Sequence, residues 1–488
     1  MVSELVLKKA TVSSLFWKLF ERGGAAFVNL VVQIVMARLL APEEFGALAI
    51  MLVFVNIGNV FVTSGLNTAL VQVPDVTDED RSTVFWMSLT ISLVLYAIVF
   101  AAAPAVAAFY EMSYLTWPLR GLALLLVINS FNAIQVAAVQ RALQFRKIFV
   151  ATVVSAVVSG ATGITCAVLG TGLWALVVQQ LTYQFVNCVV LAFQVRWFPR
   201  LTFDPGRAKR LFAFGWPLLV SGIMDQGYQS LSDLIIGKQF SSTQLGYVSQ
   251  GKKYPSAVGS MLDGAIQPVM LSAVAHVQDD VAYVKRLVRR ALKTSTFLIV
   301  PAMTLFAVVA EPLVLLLLGE KWLVSVPFLQ MYCFIYCLLP IHTTNLQALN
   351  GMGRSDLFLR LEIIKKCYGI ALICIGAFVF RNVYAMVAMH MLSSVISTFV
   401  NSWPNRYVIG YRYGEQLRDI APAFGLAVVA GAAALPISLA GLPAIAQIAL
   451  QAVVFCAAYL LLAKLLHIEE LDYLLANIRE FLGARRKK

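Results

Sequence analysis

Three charged side chains lie near the start of the first long apolar run of the chain, FWKLFERGGAAFVNLVVQIVMARLL (16–40). Lys18 and Arg22 are one helical turn apart, and Glu21 lies beside them. A charge at mid-bilayer costs about 2.5–3.5 kcal/mol on insertion scales, so charged residues in membrane helices face a bundle interior or a water-filled cavity. Cations in such a place suit an anionic ligand. A guanidinium offers a phosphate two parallel hydrogen bonds, whereas an ammonium offers a point charge.

Polar faces of the same kind recur along the chain. Asn29 and Gln33 continue the helical face of Lys18 and Arg22. Comparable residues lie in the seventh, eighth and tenth apolar stretches. They are Asp225, Gln226, Gln229 and Asp233 in the seventh, Gln250, Lys252, Lys253, Ser260, Asp263 and Gln267 in the eighth, and Asn345 in the tenth. We expect these faces to meet a wet cavity rather than lipid.

The composition indicates which class of protein holds these faces. Of the 488 residues, 60% are hydrophobic and 13% are charged. Soluble domains are about 45–50% apolar and about 25% charged. Apolar runs long enough to span a membrane recur from one end of the chain to the other. The sequence therefore predicts an all-α polytopic membrane protein. Most of the basic residues behind the net charge of +13 lie between the apolar runs, so we expect them to contact the membrane surface rather than nucleic acid.

The hydropathy pattern predicts about fourteen transmembrane helices, and twelve is the main alternative count. With the N-terminus inside, 29 of the 38 Lys and Arg residues fall in cytoplasmic segments. This asymmetry is the one expected of a membrane protein with an even number of spans and both termini in the cytoplasm. The first apolar run is long and charged, so we expect it to be a retained helix rather than a cleaved signal.

A shift of 200 residues aligns two turn sequences, RLLAPEEFGALA (38–49) and KQFSSTQLGYVS (238–249). Each has a basic residue, a polar turn and a glycine that enters the next span. We therefore predict two six-helix lobes, residues 12–200 and 208–410, followed by two extra helices at 418–466. Transporters built from repeats usually place the substrate site between the repeats. Residues 467–488 are expected to form a basic amphipathic tail on the cytoplasmic membrane surface.

The chain also resembles a known family. ARLLAPEEFGALAI, SGLNTALVQ and VPAMTLFAVVAEPLVLLLLGEKW (300–322) are similar to recurrent stretches of the polysaccharide transporters of the multidrug/oligosaccharidyl-lipid/polysaccharide (MOP) exporter superfamily. They look most like the Wzx-type flippases of the colanic-acid-exporter group. The resemblance implies two six-helix bundles arranged in a V around a central cavity, alternating access, and an undecaprenyl-diphosphate-linked oligosaccharide as cargo. It also implies a bacterial inner membrane and a role beside polysaccharide polymerase and assembly proteins.

Such a cargo suggests a role for each set of polar residues. The diphosphate would bind Lys18, Arg22, Lys252 and Lys253. The sugars would contact neutral cavity residues, namely Asn29, Gln33, Gln226, Gln229, Gln250, Ser260, Gln267 and Asn345. For the acidic residues, ion coupling and structural counter-charge both stay open; these are Glu21, Asp225, Asp233 and Asp263. Lys18 also lies close enough to the interface to extend its ammonium into water instead.

No motif for catalysis, nucleotide binding or metal binding stands out. The sequence has no G-x-x-x-x-G-K-[ST], H-E-x-x-H or G-x-S-x-G pattern, and its seven cysteines lie in apolar runs without a CxxC. We therefore expect no enzyme activity and no cofactor; coupling would come from a proton or sodium gradient, or from consumption of the product. The alternatives are a cation-coupled drug antiporter or a peptidoglycan-precursor flippase of the same superfamily. A polymerase or ligase is disfavoured because no large external loop is present.

Overall fold

The computed structural model describes residues 28–64, 70, 76–142 and 144–476. The described residues form helices joined by turns and short connections, without a β-strand, as the composition predicts. A π-helical turn over Val60–Ser64 extends the helix Pro42–Asn59, and another over Ile375–Val379 extends the helix Ser355–Cys374. In chain order, the helices are α1 (Val28–Leu39), α2 (Pro42–Asn59), α3 (Asp78–Phe109), α4 (Thr116–Leu122), α5 (Leu124–Arg141), α6 (Phe145–Val168), α7 (Leu173–Val195), α8 (Pro205–Gln239), α9 (Ser242–His276), α10 (Val281–Val308), α11 (Ala310–Leu317), α12 (Val326–Cys337), α13 (Leu339–Gly351), α14 (Ser355–Cys374), α15 (Val383–Ser402), α16 (Asn405–Val408), α17 (Tyr413–Ala434) and α18 (Ala444–Leu465).

Eleven helical segments in the described ranges are long and apolar enough to cross a membrane. The chain is therefore an all-α, multi-pass membrane protein, as predicted. Helices α8 and α14 lie where the sequence predicts a seventh and an eleventh span, but their charged and amide side chains make them more polar than the other spans. Helix α1 is described only from residue 28. The count of fourteen stays a prediction.

The chain divides into two compact units, Met1–Gly246 and Tyr247–Lys488. In the first unit α8 packs along α2 and α3, and α6 packs along α7. In the second unit α10 packs against α12, α13 and α17, while α14 pairs with α15. The six-helix lobes predicted from the sequence, with a boundary near residues 200–208, are a separate prediction that this division does not test.

The start of α3 is fixed by a capping box and an ion pair. Thr77 Oγ1 accepts a hydrogen bond from the Asp80 amide (3.2 Å), and Asp80 Oδ2 accepts one from the Thr77 amide (2.9 Å). Asp80 is 2% exposed, and its second carboxylate oxygen lies 3.1 Å from Arg207 at the start of α8. A buried carboxylate persists only when it is paired, so this contact holds the α7–α8 connection against α3.

The core of the second unit lies beneath α10. Val284, Val288 and Leu292 are fully buried, one turn apart from each other, and belong to a hydrophobic cluster with Ile341 of α13 and Ile420 of α17. The opposite face of the same turns is basic. Helix α10 therefore begins as an amphipathic helix and continues as an apolar one.

Candidate functional site

The charges that open the first apolar run, Lys18, Glu21 and Arg22, lie outside the described residues. The polar face that continues from them is described. Asn29 and Gln33 lie one turn apart on α1, and both are half-buried. Their spacing along the helix is the one predicted, and their role stays a prediction.

Helix α8 carries the polar face predicted for the seventh span. Asp225 and Gln229 are exposed one turn apart, and Gln226 and Asp233 are half-buried. Gln226 Nε2 donates a hydrogen bond to Ser230 Oγ at 2.9 Å. In an otherwise apolar helix, this face needs a polar environment, because an unpaired amide or carboxylate is costly to hold in hydrocarbon.

Helix α9 carries two adjacent lysines within one unbroken helix. The sequence leaves open whether the eighth span is broken near these residues, and the structure shows continuous helix from Ser242 to His276, through Pro255. Lys252 is half-buried and Lys253 is exposed. Both lysines therefore lie within a membrane-spanning helix rather than in a turn beside it.

The polar face of α9 continues beyond the lysines. Ser260 and Gln267 are exposed, two turns apart, and Asp263 between them is half-buried. The Asp263 carboxylate accepts a hydrogen bond from Gln267 Nε2 at 2.5 Å and another from the hydroxyl of Thr343 on α13. Asp263 is thus held between two helices of the second unit, while its neighbours on α9 stay open to the surroundings.

Two residues predicted to line the cavity are buried instead. Gln250 is 2% exposed, and its Oε1 has no hydrogen-bond partner among the described residues. Asn345 is fully buried and exchanges two hydrogen bonds with Gln416 of α17, at 2.8 and 3.0 Å. Asn405 Nδ2 donates to Asn345 Oδ1 at 2.6 Å. In this conformation Asn345 therefore links helices of the second unit. The sequence had predicted that it lines the cavity.

An ion pair inside α14 is a further polar feature of a predicted membrane span, and it was not predicted from the sequence. Lys365 Nζ lies 2.5 Å from Glu362 Oε1, and the two side chains are 16% and 25% exposed. The signal that was overlooked is a pair of opposite charges three residues apart within an apolar run, a spacing that brings both to one helix face.

The two turn sequences of the predicted duplication meet at two glycines. A Cβ atom on Gly46 would overlap the carbonyl oxygen of Ser242, and a Cβ atom on Gly246 would overlap the carbonyl oxygen of Pro42. Ser242 and Pro42 are themselves 200 residues apart. Small residues at helix crossings let backbones touch in this way. The contact is reciprocal, because each glycine lies against the start of the helix that carries the other.

A comparison of the sequence with protein families decides the assignment. Residues 35–327 match the family described as polysaccharide biosynthesis protein. The chain belongs to that family. Similar proteins are named for the biosynthesis or transport of succinoglycan, lipopolysaccharide and teichuronic acid, which confirms the resemblance drawn from the three sequence runs.

Two relatives align with most of this chain. The succinoglycan biosynthesis transport protein ExoT of Rhizobium meliloti (strain 1021) is 24% identical over 387 residues, covering 79% of this chain and 78% of the relative. The lipopolysaccharide biosynthesis protein WzxC of Escherichia coli (strain K12) is 23% identical over 431 residues, covering 86% of each chain. Both names agree with the polysaccharide biosynthesis family to which the chain belongs.

Solved structures show the same fold. The lipid II flippase MurJ, in an inward closed conformation, superimposes with a TM-score of 0.74 at 13% identity, covering 93% of this chain and 99% of that one. An inward-facing multidrug resistance MATE transporter of the MOP superfamily gives a TM-score of 0.61 at 16% identity, covering 79% and 94%. At these identities the likeness shows the fold, and it leaves the cargo to be argued from the residues.

Proposed function

We propose that this protein is a flippase that moves an undecaprenyl-diphosphate-linked oligosaccharide from the cytoplasmic to the periplasmic leaflet by alternating access. The observation that carries the proposal is the polar face of α9. It places Lys252, Lys253 and a row of neutral polar side chains within one continuous membrane-spanning helix. Membership of the polysaccharide biosynthesis family supports a surface-polymer precursor as the cargo.

The charges on α9 suit the diphosphate of such a lipid. An ammonium in a membrane helix costs about 2.5–3.5 kcal/mol, and a bound phosphate offsets this cost by supplying the opposite charge. Lys252 and Lys253 would hold the diphosphate from α9, and Lys18 and Arg22 would hold it from the first apolar run. The lipid tail would remain in the bilayer.

Neutral polar side chains suit the sugars, which present many hydroxyl donors and acceptors and carry little charge. The exposed Gln229, Ser260 and Gln267 and the half-buried Gln226 offer amides and a hydroxyl for this purpose. Asn29 and Gln33 on α1 would offer further amides to the sugars. We do not assign Gln250 and Asn345 to it in this conformation, because both are buried.

The acidic residues supply the coupling in this proposal. Asp263 accepts hydrogen bonds from two helices and lies ten residues beyond Lys253 on α9. A carboxylate in this position binds a proton or a sodium ion when the gradient supplies one, and its hydrogen bonds then rearrange. Asp225 and Asp233 on α8, and Glu21, are the other coupling or counter-charge residues.

Alternating access requires contacts that form in one state and part in another. The backbone contact of Gly46 and Gly246 with the starts of the two repeat helices is of this kind, because it contains no side chain that would have to rearrange. In the proposal it closes one side of the transport path. The path would run across a bacterial inner membrane, with both termini in the cytoplasm and the polymerase and assembly proteins on its product side.

A binding measurement on the purified full-length protein tests the cargo. The protein should bind a diphosphate-linked oligosaccharide lipid, and binding should weaken about tenfold or more in Lys252→Ala/Lys253→Ala, because a charge-assisted contact is lost at each site. Arg418→Ala is a matched control, since Arg418 is an exposed cation of the same unit and belongs to a different helix, α17. Equal binding of a neutral lipid-linked oligosaccharide would refute the role of the lysines. Preferential binding of lipid II would move the assignment to a peptidoglycan-precursor flippase, and of a cationic dye to a drug antiporter.

A further inference from the structure

A separate cavity of about 480 Å³ lies in the second unit, between the first turns of α10 and the helical residues 469–476. The residues assigned above to cargo and coupling do not line it. Its walls are strongly basic on the side of α10 and contain two carboxylates and a tyrosine on the other side. The residues on which its chemistry depends are Arg286, Arg289, Arg290, Lys293, Glu470 and Tyr473.

The position of these cations follows from the amphipathic start of α10. The buried face of these turns is fixed in the core by Val284, Val288 and Leu292. Arg286 and Arg290 are one turn apart on the opposite face, and both are exposed. The apolar part of α10 follows at once, so the cavity lies at the level where a membrane helix meets the headgroups. The positive-inside distribution places this end of α10 in the cytoplasm.

Two of the four cations are already paired. Lys293 Nζ lies 2.6 Å from Glu470 and 3.1 Å from Glu469, and Arg289 lies 2.6 Å from Asp419. These pairs fasten residues 469–476 and α17 to α10.

The other two cations, Arg286 and Arg290, lie beside aromatic rings rather than carboxylates. Among the described residues, Arg286 and Arg290 form no ion pair with a carboxylate. The Arg290 guanidinium lies 3.8 Å above the Tyr473 ring, which holds its plane in place, and the Arg286 guanidinium lies 5.5 Å from the ring of Tyr283. Two guanidinium groups one turn apart, each held against an aromatic ring, present planar donors to one oxyanion.

We propose that this cavity binds the phosphate of an anionic phospholipid headgroup. The ligand chemistry is a phosphate ester at the membrane surface, and two lipids supply it: the bulk anionic phospholipid and the diphosphate lipid of the proposed cargo. The charge balance favours the phospholipid. The four cations of the cavity and the three carboxylates that pair with them, Asp419, Glu469 and Glu470, leave a net charge of +1. One phosphodiester balances this charge, whereas a diphosphate would bring a second negative charge close to Glu469 and Glu470. Basic pockets beside membrane helices recognise lipid headgroups in this way.

The bound headgroup would join two parts of the second unit. It would bridge α10 to Tyr473, next to the pairs that Lys293 already makes with the same helical segment. Anionic lipid would therefore keep residues 469–476 docked on α10. The proposal goes beyond transport itself, since it concerns a site away from the cargo surface.

Native mass spectrometry of the full-length protein, titrated with phosphatidylglycerol and with phosphatidylcholine, tests the proposal. We expect tighter binding of phosphatidylglycerol in the wild type and a loss of about tenfold in Arg286→Ala/Arg290→Ala, as expected when charge-assisted hydrogen bonds are removed. Arg360→Ala/Arg418→Ala is the matched control: both residues are exposed cations in the same unit, and neither lines the cavity. Equal loss in the control, or no loss in the cavity variant, would overturn the proposal.

A second measurement uses the wild type alone and does not depend on a variant that folds. Phosphatidylglycerol vesicles should slow amide hydrogen exchange in residues 286–294 and 469–476, relative to phosphatidylcholine vesicles. Protection of these residues by undecaprenyl diphosphate and not by phosphatidylglycerol would assign the cavity to the cargo and contradict the phospholipid proposal. Protection by soluble pyrophosphate at equal strength would contradict it too, because a lipid would then not be required.

Discussion

Gly46 and Gly246, 200 residues apart in the sequence, each pack against the backbone at the start of the helix that carries the other. Gly46 lies under the carbonyl of Ser242 and Gly246 under that of Pro42. Contacts that exchange partners in this way are the mark of two-fold related surfaces. A side chain at either position would force the backbones apart, so glycine is required here by the closeness of the helices and not by its backbone freedom.

Replacement of Gly46 by alanine should destabilise the conformation described here. The added methyl group overlaps a backbone carbonyl that cannot rotate away, and overpacking of this kind costs about 1–3 kcal/mol. We expect a lower melting temperature and faster reaction of a Ser242→Cys thiol with a water-soluble maleimide. Gly425→Ala is the control, because no atom lies within 4 Å of the added methyl group there. If Gly46→Ala melts and reacts as the control does, the glycine contact does not hold the helices together.

Asp263→Asn should uncouple transport from the ion gradient. The amide keeps the size of the carboxylate and one oxygen to accept the hydrogen bond from Thr343, but it has no negative charge, takes up no proton at neutral pH and attracts a cation much more weakly. Transport in proteoliposomes should persist at a low rate that no longer responds to an imposed proton or sodium gradient. Asp356→Asn is the matched control, because its carboxylate is exposed and pairs with Arg354 at 3.0 Å. Gradient-driven transport of normal size in Asp263→Asn would assign Asp263 a structural role.

The same substitution at two buried glutamines should have opposite effects on stability. Gln416 is 1% exposed and shares hydrogen bonds with Asn345 and with Ser402 (2.9 Å), so Gln416→Leu leaves buried partners unsatisfied at about 1–3 kcal/mol each. Gln451 is fully buried, and both atoms of its amide have no hydrogen-bond partner among the described residues. Gln451→Leu should therefore be neutral or stabilising. Thermal unfolding in detergent measures both, and equal destabilisation by the two variants would show that Gln451 has a partner.

The connection before α8 should make a contribution to stability that acid removes. Backbone hydrogen bonds from Arg207 and Gly206 lower the pKa of the Asp204 carboxyl below its usual value of 3.8. Because the folded-state pKa is depressed, this contribution is present above the unfolded value and is lost as the pH falls through the folded one. Asp204→Asn keeps an N-capping oxygen, so its melting temperature should be less sensitive to pH between about 5 and 2 than that of the wild type. Identical pH profiles would show that the carboxylate contributes nothing.

Hydropathy and charge placement predicted the helices well, because each depends on residues close in sequence. The eighth apolar stretch, which holds the predicted polar face from Gln250 to Gln267, is one helix, α9, from Ser242 to His276. The family assignment from three short runs was likewise confirmed by a match over residues 35–327. Both predictions succeed because the length of an apolar run and a short motif depend only on consecutive residues.

Pairings between distant helices were beyond the reach of the same reasoning. The polar face that holds Asn345 was visible in the sequence, but its partner Gln416 lies 71 residues away. A helical wheel shows which residues share a face and does not show whether that face meets a cavity or another helix. The Glu362–Lys365 pair was missed for a different reason: opposite charges three residues apart within the predicted eleventh span were not considered as a pair.

Reconstituted flipping of a diphosphate-linked oligosaccharide lipid tests the central claim most directly. Vesicles containing the wild type should move the lipid between leaflets, Lys252→Ala/Lys253→Ala should reduce the rate about tenfold or more, and Arg418→Ala should leave it unchanged. Movement of lipid II or of a cationic dye, with no movement of the oligosaccharide lipid, would contradict the account.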